Sequence, residues 1–229
     1  MEEGGLCRRL ASQFPSSRII AVYNGVETEA VPNQESPFFP TWSQPGLREA
    51  LVSGYNTYVH GGYNGPLVRT DSDEHPPAEF PRLVQHAKEI NGLVIGDLRY
   101  DEDLMATESP DGLAQQIWLE MYGQATRGKA PVGNAHGLQV FASPSVCHEV
   151  LLAAWSILKA ADTSALERIQ WGFDGILILA AVAAGVPLEI VPIAGTSERN
   201  RSTAKIMDQY KKHSLVLRAA AQIYPDQLG

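Results

Sequence analysis

The run Ile176–Val186, ILILAAVAAGV, has no polar side. A helix that is apolar all round has to be buried by its own protein or by lipid. This one falls far short of the ~20 residues needed to span a bilayer. Other elements must therefore cover it. Gly185 stops the helix, and Leu188–Ile193, LEIVPI, follows at once as a strand. The same alternation runs through the chain. Strands are expected at Arg18–Tyr23, Pro66–Thr70, Leu93–Ile95 and Leu138–Phe141. Helices are expected at Cys7–Phe14, Leu47–His60, from Pro77 to about Ile90, Leu113–Tyr122, Pro144–Ala161, Phe173–Ala184 and Thr203–Ile223. Pro32–Gly46, with four prolines, reads as a loop, and Tyr100–Pro110 as an acidic surface loop. Alternating strands and helices favour an α/β layer architecture. No repeat or linker interrupts 229 residues, so a single domain over 1–229 is the simplest account.

A net charge of −8 argues against a nucleic-acid partner, which needs a basic face. Two cysteines, Cys7 and Cys147, are too few for a disulfide framework, and a reducing, cytoplasmic setting fits. The opening MEEGGLCRRL is not patterned as a secretory signal.

Against that background the stretch Arg69–Pro77, RTDSDEHPP, is unusual, because it crowds Asp71, Asp73, Glu74 and His75 directly after an apolar strand. Carboxylates two residues apart repel unless a cation or proton intervenes. On an extended backbone Asp71, Asp73 and His75 share a side. Mg²⁺ or Mn²⁺ takes such oxygen ligands and completes its shell with phosphate and water. The plainer reading is an acidic turn before a helix, whose N-terminus favours negative charge. Position at a strand end, where open α/β sheets bind ligands, favours the ion.

From Gly46 to Tyr100 the sequence resembles the centre of a family 2, GT-A-type glycosyltransferase, nearest the dolichyl- or polyprenyl-phosphate sugar synthases. The matching pieces are a helix with a Gly-rich end (Ala50–Gly62), a strand with D-x-D (Leu67–Asp73), a proline-rich helix start (Pro76–Pro81) and a strand running to Gly and Arg (Val94–Arg99). The resemblance implies a Rossmann-like GT-A fold with a mostly parallel mixed sheet. It implies metal ligands at Asp71 and Asp73, and a third ligand falls on His75. A second block, WGFDGILILAAVAAGVPLEIVPI from Trp171 to Ile193, is similar to the family's G-F-[DE] helix and the strand after it. The loop TSERNRSTAKI then matches the family's Arg and Lys at Arg199 and Lys205, which close over the donor diphosphate. Arg201 belongs to the same basic cluster, and Arg99 and Asn24 join the implied donor-binding set.

The chemistry stands without the family. Transfer from a nucleotide-sugar leaves a diphosphate with added negative charge, which a divalent ion and Arg or Lys stabilise from two sides. Asp174 is open to two readings, as a base or acceptor-orienting group and as a cap of the apolar helix. Gln139 stands where the family has an Arg that contacts phosphate, which weakens the implied lipid-phosphate acceptor. Trp155 and Trp171 read as core or pocket walls.

The chain departs from the family at its start. MEEGG falls where the family's P-x-Y-N-E turn ends, so the first strand is expected to be missing. Either the start lies further upstream or the protein has diverged from the usual donor. Loss of a central strand would leave unpaired neighbours or draw in another segment. Next to Asn24, an acidic donor loop is replaced by Tyr23–Glu27, and GDLRY adds one residue before Arg99. The leading expectation is an inverting, metal-dependent transfer, with catalytic roles for Asp73, Asp174 and Arg199. The alternatives are a nucleotidyltransferase or phosphohydrolase and a non-catalytic GT-A-like binding module. A lipid acceptor would need peripheral membrane contact, for which no strongly basic amphipathic stretch is present.

Overall fold

The computed structural model describes residues 10–24, 38–43, 47–70, 77–98, 120–129, 138–161, 173–193 and 203–228. Contacts divide the chain into two compact units, Met1–Asn64 and Gly65–Gly229.

In the first unit, strand β1 (Ile19–Asn24) pairs in parallel with β2 (Phe38–Ser43), and helix α1 (Leu47–His60) packs against both. Leu51, Tyr55 and Tyr58 fall at helical spacing and are buried. Gly54 lets α1 approach closely, since a Cβ there would lie 3.1 Å from Val22 Cγ2. Gly62, at φ +73°, ends the helix in a conformation that glycine adopts without strain. Tyr63 then folds back and stacks on Tyr58 with ring centroids 6.1 Å apart, while the Arg18 guanidinium lies 5.6 Å from the Tyr63 centroid.

Strand β2 corrects the loop expected over Pro32–Gly46. FFPTWS is aromatic and β-branched, which suits a pleated strand. Pro40 stands opposite Ala21, and β1 is the only partner of β2 among the described residues. An edge strand tolerates a residue that has no N–H to donate.

The second unit is an α/β layer built on a four-stranded mixed sheet of order β3-β5-β4-β6. Its strands are β3 (Leu67–Arg69), β4 (Leu93–Leu98), β5 (Gln139–Phe141) and β6 (Leu188–Ile193). β5 runs antiparallel to both neighbours, and β4 and β6 are parallel. Three of the four strands therefore share one direction and β5 opposes them. β4 continues to Leu98, past the Ile95 limit expected from sequence.

Helix α2 (Phe80–Ile90) follows a 3₁₀ turn at Pro77–Glu79, with Pro81 in its first turn where no intrahelical N–H is needed. It buries Phe80, Leu83 and Ala87. Asn91, at φ 46°, caps its end, and the Gly92 N–H donates back to the Ala87 carbonyl over 3.1 Å. A Cβ on Gly92 would come 2.1 Å from the Pro187 carbonyl oxygen, so only glycine fits where β4 and β6 begin side by side. On its outer side α2 reaches β6, where Arg82 Nη2 donates to the Pro192 carbonyl over 2.8 Å and His86 Nε2 lies 2.5 Å from Glu189 Oε2.

Helix α3 (Pro144–Ala160) is capped by Ser143, whose hydroxyl accepts the Val146 N–H over 3.3 Å. It packs against α4 (Phe173–Ala184), the apolar helix of the opening argument. Ile176, Leu177, Leu179, Ala180 and Ala181 in α4 are fully buried, as are Val150, Ala154 and Ile157 in α3. Each such aliphatic side chain contributes about 1.5–3 kcal/mol relative to exposure. Helix α5 (Thr203–Ile223) joins this layer through α3. Residues 120–125 are helical and end at Arg127 and Gly128, both at positive φ. Among the described residues no helix is long and apolar enough to cross a membrane.

Candidate functional site

The candidates for metal and diphosphate fall mostly in the segments between these elements. Asp71, Asp73, His75, Arg99, Arg199 and Arg201 lie outside the described residues. The strands that lead into them are described, and their directions are the informative geometry. β3 and β4 both oppose β5, so they point the same way, and β6 is parallel to β4. The C-terminal ends of β3, β4 and β6 therefore lie at one end of the sheet.

The acidic segment begins two positions after the last residue of β3, Arg69. Arg99 directly follows Leu98, the last residue of β4. Arg199 comes six positions after Ile193, the last residue of β6. Strands lie about 4.8 Å apart, so β3 and β6, at opposite edges, are separated by about 14 Å.

Lys205 is in the first turn of α5, close to the helix N-terminus. A helix start presents backbone N–H groups and a positive dipole end, which suit an anion. Asp174 is the second residue of α4. It lies within the first turn of that helix. Asn24 closes β1 in the first unit.

Gln139 opens β5 and is fully buried. It pairs with Arg69 on one side and Ile95 on the other. Its neutral amide thus occupies the middle of the sheet, just inside the end where the loops emerge. Trp155 is part-buried on α3. Cys147 is buried in α3, and burial pushes its thiol up to about 12. A thiol held protonated is not a nucleophile.

Among the described residues no group of three or more His, Cys, Asp or Glu side chains is arranged to hold a metal. A recess of about 310 Å³ lies between α2 and β6, lined by Arg82, Gln85, His86, Glu89 and Val191. None of the sequence candidates lines it.

Asp97 falls in a part of β4 that lies beyond the strand expected from sequence. It lies next to last in β4, opposite Pro192. The strand was expected over Leu93–Ile95. The signal was the continued run LVIGDL, with Leu98 restoring the apolar pattern beyond the glycine.

No protein-family model matches the chain, and no curated protein sequence matches it.

Proposed function

We propose that the chain is a metal-dependent, inverting glycosyltransferase that moves a sugar from a nucleotide-sugar to an acceptor. One observation carries the reading: β3, β4 and β6 end at the same end of the sheet. The segments after them hold, in turn, the acidic cluster, Arg99 and the basic cluster. In this reading, opposite charges on segments that leave one sheet end make a clamp for a diphosphate and its cation.

In this reading Asp71 and Asp73, with His75, hold Mg²⁺ or Mn²⁺. The two carboxylates supply the hard oxygen donors these ions take. When bound, the ion stabilises charge on the departing diphosphate. Arg199, Arg201 and Lys205 neutralise the same charge from the β6 side, Arg through its planar fork and Lys as a point charge. Arg99 follows directly on β4, which lies between β3 and β6 in the strand order. A short turn, Gly185–Pro187, joins α4 to β6 and reverses the chain. α4 is about 18 Å long at 1.5 Å per residue, close to the length of β6. Asp174 thereby returns toward the same end, where it can orient an acceptor. A polyprenyl phosphate is the acceptor class that the family resemblance implies, reached at a membrane surface or through a partner.

Incubation with a panel of sugar-nucleotides and Mn²⁺, with analysis of the products, tests the reaction class. Free nucleoside diphosphate plus a glycoside is the expected result. Pyrophosphate or inorganic phosphate would indicate a nucleotidyltransferase or phosphohydrolase instead. A second reading, a non-catalytic binding module, is favoured by β1 and β2 forming a compact unit of their own. Tight diphosphate binding with no turnover of any donor would select it.

A further inference from the structure

β6 closes one side of the sheet, and β4 is its only partner among the described residues. The ladder fixes which backbone groups of β6 face outward. The Leu93 N–H donates to the Pro187 carbonyl over 2.9 Å, so position 187 faces β4. Backbone groups alternate along a strand. Those of Glu189, Val191 and Ile193 therefore turn to β4, and those of Leu188, Ile190 and Pro192 point away. The Arg82 contact agrees, since its Nη2 donates over 2.8 Å to the Pro192 carbonyl that the ladder leaves open. Arg82 fills that acceptor and Pro192 has no N–H, so the edge is closed at this end. Complete outward rungs remain at Leu188 and Ile190. They belong to the N-terminal half of β6, away from the sheet end that the proposed reaction uses.

Side chains alternate as well, and Glu189 and Val191 share the face toward α2. His86 Nε2 is 2.5 Å from Glu189 Oε2, and Val191 lines the recess of about 310 Å³ whose wall is a stripe of α2 at helical spacing. The Glu189 and Glu89 side chains are 49% and 58% exposed, so this face is open to solvent. Its charge is negative. Arg82 is engaged by Glu79 over 2.6 Å, and the carboxylates of Glu89 and Glu189 meet His86 and Gln85 among the described residues.

We propose that this edge docks an extended peptide of another protein, which adds a short antiparallel strand to β6 and sets a lysine or arginine opposite Glu189. Strand addition draws affinity from main-chain bonds and specificity from alternate side chains. An antiparallel strand exchanges both bonds with Leu188 and with Ile190. Its residue opposite Val191 lies on the α2 face, and so does its residue opposite Glu189, two positions on. The first meets an apolar surface and the second a carboxylate beside the recess. Cross-strand pairs of opposite charge are favourable, and like charges directly opposite are not. The motif is therefore apolar-x-basic, read from N to C. A second copy of β6 fits badly. Pairing centred on position 189 sets Glu189 against Glu189, and pairing centred on position 190 loses the rung at Pro192.

The test is titration of nitrogen-15-labelled protein with capped peptides, followed by amide chemical shifts. The probes are Thr-Val-Thr-Lys-Thr, Thr-Val-Thr-Glu-Thr, and the lysine peptide with the amide of its middle threonine methylated. That amide donates to the Ile190 carbonyl in the proposed pairing. Shifts are expected at Leu188–Ile190 and along α2 from Arg82 to Glu89. At low salt the lysine peptide should bind about fivefold more tightly than the glutamate peptide. Methylation should abolish the shifts, and Glu189→Lys should reverse the preference between the first two peptides. Equal binding of all the peptides by wild type, or binding of none, overturns the proposal and needs no variant to fold. Shifts confined to other parts of the protein overturn it too. Wild type that sediments as a dimer, with the Leu188 and Ile190 amides protected from exchange and released on dilution, would assign the edge to a second copy and also overturn it.

Discussion

The layer formed by α3 and α4 and the C-terminal end of the sheet beside it are built on opposite terms. In the first, Ile176, Leu177, Leu179, Val150 and Ile157 are all at zero exposure, and the one thiol among them is held protonated. Nothing there can react, and much stability resides there. At the second, β4 and β6 stop together at Leu98 and Ile193, β3 stops level with Ile95, and the chain passes into acidic and basic segments. The contrast teaches that one region is closed by dry packing, while the other opens into segments of opposite charge that leave three like-directed strands.

Breaking the packed side should unfold the protein. Leu177→Ala removes a fully buried side chain from α4. It is expected to cost about 2–5 kcal/mol, read as a fall in the chemical denaturation midpoint. A variant as stable as wild type would mean that the layer is loose.

A smaller effect is expected from titration of the buried thiol. Cys147 in the folded chain is pushed up to about 12 from 9.0. The unfolded chain loses that proton first as pH rises past 9, so the stability is present below pH 9 and lost progressively between 9 and 12. The loss approaches about 1.4 kcal/mol per pH unit within that window. Denaturation of wild type and Cys147→Ala at pH 8 and pH 10 should give a steeper alkaline loss for wild type. Parallel slopes would place the thiol in contact with water.

Changes at the sheet end should act on ligand and leave the fold alone. Lys205→Ala is expected to weaken nucleoside diphosphate binding about tenfold, or ~1.4 kcal/mol, with an unchanged melting temperature. An unfolded variant would instead make Lys205 structural. The helix cap gives a finer probe of the packed side: Ser143→Ala should cost about 1 kcal/mol by thermal denaturation. The smallest effect is expected at the surface. Arg82, whose side chain is 53% exposed, bonds Glu79 and the Pro192 carbonyl. Arg82→Ala should change stability by less than about 1 kcal/mol.

The packed side was largely legible in the sequence. An apolar run such as Ile176–Val186 has one physical outcome, and Gly185, at φ +67°, marks its end. Ser143–Pro144 announced the start of α3 in the same way. The strand ends were harder to read. Four prolines hid β2, although only Pro40 had to fit an edge strand. Gly96 hid the last turn of the β4 ladder, because close packing against Leu138 and Ile193 cannot be distinguished from a break in a linear string. That β5 runs against its neighbours is set by pairing, which leaves no periodic mark on three residues. That direction is what sends the C-terminal ends of β3, β4 and β6 to one end of the sheet.

The central claim is that the acidic and basic segments act on one diphosphate and its cation. Calorimetric titration of Mn²⁺ with a nucleoside diphosphate into wild type, Asp73→Ala, Lys205→Ala and the double variant tests it most directly. The account predicts tight binding by wild type, weaker binding by each single variant, and losses that do not add, with an interaction of about 0.5 kcal/mol or more. Asp73→Ala binding as well as wild type, or losses that add strictly, would contradict it.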